Sequence, residues 1–367
     1  MLIGVPKEIK GGETRVSMTP NLCRRITSLG CRVLIEKSAG MKSGFTDAEY
    51  RAAGAEISKS AVKVWKSADV ILKVKEPLES EFSRIQLGQT IFTYLHLAAV
   101  PALARELVKK GVLGIAYETV EAPDGSLPLL KPMSQIAGRL ATQIGAYFLQ
   151  SQNGGSGVLL GGVPGVTPGR VAIVGAGNSG AHSARIAAGM GAGVTILDLD
   201  SRKLDLLDNE YHNRVTTLMA SPANVERAVA GADLVIGAVL IPGAKAPTVI
   251  SSKMVSSMRA GSVIVDIAVD QGGCVETIHA TSHSEPTYRK HGVLHYAVPN
   301  MPAMVGRTST IALTQATEPF VALIAQKGVR QALAQSPGLA KGINTQAGRI
   351  THPAVASVLG ELGERVQ

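Results

Sequence analysis

The stretch Val171-Ala172-Ile173-Val174-Gly175-Ala176-Gly177-Asn178-Ser179-Gly180-Ala181-His182-Ser183-Ala184 decides the fold. Four apolar residues of strand-forming type run into a G-x-G-x-x-G turn, which opens onto an alanine-rich segment of helical character. Such a turn needs Gly175 for its tight bend, Gly177 so that backbone can approach a pyrophosphate, and Gly180 so that the helix can pack close to the sheet. The helix start offers unpaired N–H groups and a partial positive charge to phosphates. A second strand at 194–198 ends in Asp198, 18 residues past Gly180, where a carboxylate accepts from ribose hydroxyls and repels a 2′-phosphate. The glycines alone make an ordinary βα turn. Strand, glycines, helix and acid in register imply a Rossmann-type unit that binds NAD rather than NADP, a preference that nearby Arg202 and Lys203 temper.

Outward from this unit, short β-branched runs alternate with helix-period segments, the pattern of parallel strands joined by crossover helices. The second half carries strands at 171–175, 194–198, 234–237, 262–268 and 294–297. The first half carries strands at 2–6, 32–36, 70–75, 90–95 and 114–117, with helices at 20–29, 47–53 and 101–110. A connecting helix is expected over 134–150, with Ser134 as its N-cap and Ile136, Leu140, Ile144 and Leu149 at helical spacing. A loop with seven Gly and two Pro, residues 153–169, leads into the glycine turn. Helical pattern returns over 310–325 and 353–364.

The 367 residues suffice for about two domains with their own cores, and 45% hydrophobic against 18% charged residues exclude a disordered chain. With 37 Lys and Arg against 28 Asp and Glu the net charge is +9. No basic run approaches five and aromatic residues make up only 4%, so a small anionic substrate and cofactor fit better than a nucleic acid. Cys23, Cys31 and Cys274 lack disulfide or zinc spacing, and no metal is expected. No apolar run reaches the roughly 18 residues that span a bilayer, so a cytoplasmic protein without a membrane partner is expected.

In doubly wound sheets ligands sit beyond the carboxyl ends of strands. Lys75, His96, Asp270 and Asn300 each follow an apolar run, and together they supply a cation for a carboxylate, a proton shuttle, a carboxylate base and an amide hydrogen-bonder. Lys75 with Glu76 also reads as a solvated pair at a strand exit, a lone histidine after an apolar strand as a capped or satisfied core residue, and Arg15 by itself as a loop arginine. These residues point to a dehydrogenase with the substrate left open.

The chain resembles the family shared by alanine dehydrogenases and the NAD-binding subunit of proton-translocating transhydrogenase. The likeness spans nearly the whole chain through Gly4-Val5-Pro6-Lys7-Glu8, Glu13-Thr14-Arg15-Val16, Leu72-Lys73-Val74-Lys75-Glu76-Pro77, Phe92-Thr93-Tyr94-Leu95-His96, Leu129-Leu130-Lys131-Pro132-Met133-Ser134, Gly162-Val163-Pro164-Gly165-Val166, Val265-Asp266-Ile267-Ala268-Val269-Asp270-Gln271-Gly272-Gly273 and Asn300-Met301-Pro302. The resemblance implies an α/β fold of two Rossmann-like domains with parallel sheets flanking a cleft, the substrate domain completed by the C-terminal tail. Its divisions would be 1–130 for the first segment of the substrate domain, 131–306 for the NAD domain and 307–367 for the returning segment. It further implies reversible oxidative deamination of L-alanine to pyruvate and ammonium with NAD as cofactor, in a homohexamer.

The site residues implied are His96 as general acid/base and Asp270 as the carboxylate assisting water addition, with Arg15 and Lys75 on the substrate carboxylate and keto oxygen and Met133 and Asn300 lining the pocket. Cofactor contacts would come from Ser134, Gly175, Gly177, Asn178, Ser179, Gly180, Asp198, Lys203, Val239, Leu240, Ile267, Ala268, Val269, Asp270, Val298, Pro299, Asn300 and Met301. His279 and Ala220 stand where relatives carry other residues, so no role is carried over to them, and Val305-Gly306-Arg307 departs from the family's Val-Pro-Arg. The alternatives are the transhydrogenase NAD(H)-binding subunit, which lacks the four catalytic-type residues in combination, a related lysine-pathway dehydrogenase with a larger pocket, and a non-catalytic NAD-binding module.

Overall fold

Two largely parallel sheets organise the computed structural model, which describes residues 1–239 and 246–360. The chain divides into two compact units, Met1–Met133 with Ala303–Gln367, and Ser134–Pro302.

Among the described residues of the first unit, eight strands lie in the order Arg349–Ile350, Ile343–Gln346, Leu113–Ala116, Thr90–Thr93, Val70–Leu72, Leu2–Val5, Arg32–Glu36 and Glu56–Ser58. The last six pair in parallel. Their central members are apolar throughout because crossover helices cover both faces, as the burial of Ile3, Val5, Val70, Ile71, Leu72, Ile91 and Phe92 records. The helices start where the side chains dictate. Thr19 caps Pro20–Ser28 by accepting from the Leu22 N–H, with proline in the first turn, and Thr46 with Glu49 forms a capping box on Asp47–Ala52. Trp65, Ile71, Ile91, Leu95, Leu103 and Leu107 form one core on this sheet.

In the second unit the order is Thr287–Lys290, Val293–Tyr296, Val263–Asp266, Leu234–Gly237, Arg170–Val174, Gly193–Asp198 and Val215–Met219. All pairings are parallel except that of Thr287–Lys290. The order reverses between Arg170–Val174 and Leu234–Gly237, so the exits of these two strands flank the crevice where doubly wound sheets take their ligands.

Several elements depart from the sequence reading. The connecting helix is Lys131–Phe148, and Ser134 therefore lies in its first turn instead of capping it. Proline at 132 is tolerated there because the first turn has no intrahelical partner for its N–H groups. The strands leading to the candidate residues stop early, at Leu72, Thr93 and Asp266, which leaves Lys75, His96 and Asp270 on the loops beyond. The tail is not purely helical. After helices Gly306–Lys327, Val329–Gln335 and Pro337–Lys341 it adds the hairpin of Ile343–Gln346 and Arg349–Ile350 antiparallel to Leu113–Ala116. The further unexpected strands Glu56–Ser58, Val215–Met219 and Thr287–Lys290 lie at sheet edges, where polar residues such as Glu56, Thr216, Arg289 and Lys290 face solvent and blur the apolar signal. The last helix is described as Pro353–Leu359, and residues 361–364 of the expected one lie outside the described residues. No described helix is long and apolar enough to cross a membrane.

Candidate functional site

The glycine turn follows Arg170–Val174 at the point of strand reversal. Gly175 has φ +103°, and a Cβ there would lie 2.6 Å from the Ala238 carbonyl oxygen. Gly180 is crowded by the turn itself: its Cβ would sit 1.7 Å from the Gly175 carbonyl oxygen, whereas the nearest sheet side chain, Ile173, is 3.4 Å away. The third glycine therefore serves the closure of the turn first and helix–sheet packing second. Gly177 differs, since a Cβ on it would meet no described atom within 4 Å. Packing within the chain does not require this glycine, and close approach by a phosphate does. Gly177 also stands at the start of the helix Asn178–Gly189, whose first turn receives no side-chain cap.

Asp198 ends the neighbouring strand with its Oδ2 accepting from the Ala176 N–H at 2.6 Å and its Oδ1 from the Asp200 N–H at 2.9 Å. One oxygen is thus tied to the glycine turn. Lys203 lies 3.4 Å from the same carboxylate. The Ser179 hydroxyl donates to the Ser134 carbonyl at 3.0 Å, so these two expected cofactor residues are joined. Their junction rests on Gly138, whose Cβ would lie 2.0 Å from the Ser179 carbonyl oxygen, with the Ser183 hydroxyl donating to the Gly138 carbonyl at 2.9 Å.

Asp270 lies on the 3-10 turn Ile267–Gln271, and its Oδ2 accepts from the Asn300 N–H at 3.1 Å. Asn300 is left-handed, φ +57°. The turn is anchored by a residue that sequence reasoning passed over, Asp266. Its buried carboxylate accepts from the N–H groups of Ala268 at 2.8 Å, Cys274 at 2.8 Å and Val275 at 3.2 Å. Burial pushes its pKa up to about 6 against the opposing pull of those hydrogen bonds. An acid at the end of an all-apolar strand was the available signal. Val239 follows the adjacent strand exit and Val298, Pro299 and Met301 lie beside Asn300, whereas Leu240 lies outside the described residues.

The remaining candidates belong to the first unit. Arg15 is buried, with Nε donating to Glu13 Oε1 at 2.7 Å, Nη2 to Glu13 Oε2 at 2.6 Å and Nη1 to the Met133 sulfur at 3.2 Å. Burial works against the guanidinium's charge, but the Glu13 hydrogen bonds and charge outweigh it and raise the Arg15 pKa. This bidentate fork fixes the plane of the arginine, and Glu13 was not singled out in the sequence. Lys75 is half-buried beside a buried network in which the Lys73 ammonium lies 3.1 Å from Glu8 and 3.2 Å from Glu81. Glu8 also accepts from the Val74 N–H at 2.7 Å, so the loop carrying Lys75 is fastened from beneath. His96 has φ +47°, and its backbone N–H donates to Glu118 at 2.6 Å.

Two family models cover the chain: the alanine dehydrogenase/PNT N-terminal domain matches residues 4–137 and its C-terminal counterpart residues 141–353. The alanine dehydrogenase of Methanococcus maripaludis is 56% identical, covering 97% of this chain and 96% of its own. That of Bacillus subtilis is 54% identical over 98% of this chain and 95% of its own. A solved L-alanine dehydrogenase structure matches with a TM-score of 0.96 at 52% identity, over 99% of this chain and 100% of the other. A transhydrogenase structure from Sinorhizobium meliloti shares the fold, with a TM-score of 0.81 at 24% identity over 96% of this chain and 100% of the other.

Proposed function

The chain belongs to the alanine dehydrogenase/PNT family, and from that premise we propose that it catalyses the NAD-dependent, reversible conversion of L-alanine and water to pyruvate and ammonium. The observation that carries the proposal is its near full-length likeness to enzymes bearing that name.

The glycine turn fits the cofactor on its own geometry: Gly177 leaves its surroundings open and the uncapped helix start presents N–H groups to phosphates. Gly175, Gly177, Asn178, Ser179 and Gly180 would hold the pyrophosphate and Asp198 with Lys203 the adenosine ribose, while Ser134, Val239, Ile267, Ala268, Val269, Val298, Pro299 and Met301 would line the nicotinamide half. NAD, when bound, accepts the hydride that alanine loses. The chain's own groups do the remaining work. Arg15 binds the substrate carboxylate, in the plane that Glu13 fixes, and Lys75 steadies the oxygen that becomes the keto group. His96 exchanges the proton at the substrate nitrogen or oxygen, and Asp270 orients the water that adds to the imine and assists release of ammonium from the resulting carbinolamine. Met133 and Asn300 would line the substrate pocket. The enzyme works in the cytoplasm as a homo-oligomer, a hexamer by family likeness.

The test is the change in NADH absorbance with NAD+ and L-alanine at alkaline pH, and with NADH, pyruvate and ammonium in reverse. Formation in the first and loss in the second is expected. Tight NADH binding with silence in both directions would sink the proposal in favour of a transhydrogenase-type or non-catalytic NAD binder.

A further inference from the structure

We propose that Glu118 is the positioning residue of His96, fixing its proton on Nδ1 and leaving Nε2 as the atom that exchanges a proton with the substrate. This rests on the reading of His96 as the acid–base group. Glu118 lies on the turn Tyr117–Thr119 directly after the strand Leu113–Ala116. The adjacent strand Thr90–Thr93 pairs in register, with Thr93 opposite Ala116, so the two chain exits carry His96 and Glu118 out side by side.

Three contacts converge on the Glu118 carboxylate. The His96 N–H donates to Oε1 at 2.6 Å, and the Leu95 N–H lies 3.1 Å and 3.2 Å from the two oxygens. The imidazole Nδ1 stands 3.9 Å from the same Oε1. Successive N–H groups turned to one side form an anion-binding concavity, and here the anion is the chain's own. The concavity exists because His96 takes the left-handed conformation, φ +47°, which is unfavourable for a residue with a Cβ. Glu118 offsets that cost with a charge-assisted hydrogen bond to the strained residue itself.

The ring is held as well as the backbone. Tyr94 lies nearly parallel to it, 7° between planes and 5.9 Å between centroids, and the Tyr94 hydroxyl is locked by donating to the buried Leu129 carbonyl at 2.7 Å. The Nδ1 edge lies toward Glu118, whose side chain is 16% exposed, and the imidazole side chain is 39% exposed. On this proposal Nδ1 closes from 3.9 Å into hydrogen-bond range when substrate binds, as catalytic contacts that are long in the free enzyme do. A base oriented by a third group is the arrangement that activates histidines in acyl transfer. A second imidazole feels the same carboxylate: His352, at the start of Pro353–Leu359, has a buried Nδ1 without a hydrogen-bond partner among the described residues, and Glu118 opposes the lowering of its pKa that burial causes.

Nitrogen-15 solid-state spectra of histidine-labelled protein with bound NADH, assigned with His96→Gln, report the tautomer directly. The Nδ1–H form is expected at His96, moving toward Nε2–H in Glu118→Gln. That variant should lose on the order of 10- to 100-fold in kcat with KM for NAD+ and the thermal midpoint little changed, and Glu118→Asp should recover part of the loss. An Nε2–H histidine in the unsubstituted protein overturns the proposal even if Glu118→Gln fails to fold. So does a Glu118→Gln kcat within about twofold while His96→Ala is inactive. Near-normal turnover by His96→Ala would instead remove the acid–base reading on which the proposal stands.

Discussion

Gly138 presses backbone to backbone against Ser179: a Cβ at 138 would lie 2.0 Å from the Ser179 carbonyl oxygen and 2.8 Å from its carbonyl carbon. The helix Lys131–Phe148 is thereby seated directly on the first turn of the helix that follows the glycine motif, and the Ser179 hydroxyl reaches the Ser134 carbonyl across the same junction. The three nearest atoms are all Ser179 backbone and cannot yield as a side chain would, so Gly138→Ala must push the two helices apart. The expected result is a loss of roughly 1–3 kcal/mol in stability together with weaker NADH binding, read by thermal unfolding and fluorescence titration. An unchanged midpoint and affinity would show that the junction relaxes freely.

Arg15 and Glu13 form a planar bidentate pair inside the first unit. Lysine at 15 keeps the charge but loses the fork and the Met133 contact. Arg15→Lys should raise KM for pyruvate by about tenfold or more while KM for NADH moves far less. Equal increases in both constants would argue that Arg15 supports the fold and does not meet the substrate.

Asp198 serves two tasks, as an acceptor for the Ala176 N–H and as the proposed discriminator against a 2′-phosphate. Its removal leaves Lys203 without its carboxylate partner, which favours an extra phosphate. The ratio of kcat/KM for NADP+ over NAD+ should rise in Asp198→Ala, with a fall of about 1 kcal/mol in stability from the lost hydrogen bond. A ratio that stays put would assign Asp198 to the turn alone.

Asp266 makes a prediction about pH. Its pKa of about 6 in the folded protein stands above the ordinary 3.8, chiefly through burial. Between those two values the folded chain holds a proton that the unfolded chain has released, so this group's contribution to stability falls as pH rises through the window and is level above it. Asp266→Asn cannot titrate. The difference in unfolding free energy between the two proteins, measured by denaturant titration, should therefore change steadily across the window from 3.8 to about 6. A constant difference would mean that the carboxylate titrates alike in both states.

The sequence by itself determined the features whose physics is local. Gly175, Gly177, Gly180 and Asp198 declare a dinucleotide turn because the conformations and the strand–turn–helix spacing are set by neighbours in the chain. The central strands were legible because parallel strands covered on both faces are apolar without interruption. Edge strands such as Val215–Met219, half polar, were not, and neither was the tail hairpin, which exists as sheet only because Leu113–Ala116 offers it an edge. The site divides in the same way. Arg15, Lys75, His96 and Asp270 were singled out as candidates by residue type, position and resemblance, but only tertiary structure showed what holds them. Glu13 fixes the Arg15 plane, Glu8 ties down the loop of Lys75, Glu118 takes the left-handed turn of His96 and Asp266 anchors the turn of Asp270. Likewise, residue type does not show that Lys73 is buried between two glutamates while Lys75 is half open. Burial and partner choice are set by packing, and packing joins residues whose separation along the chain carries no signal.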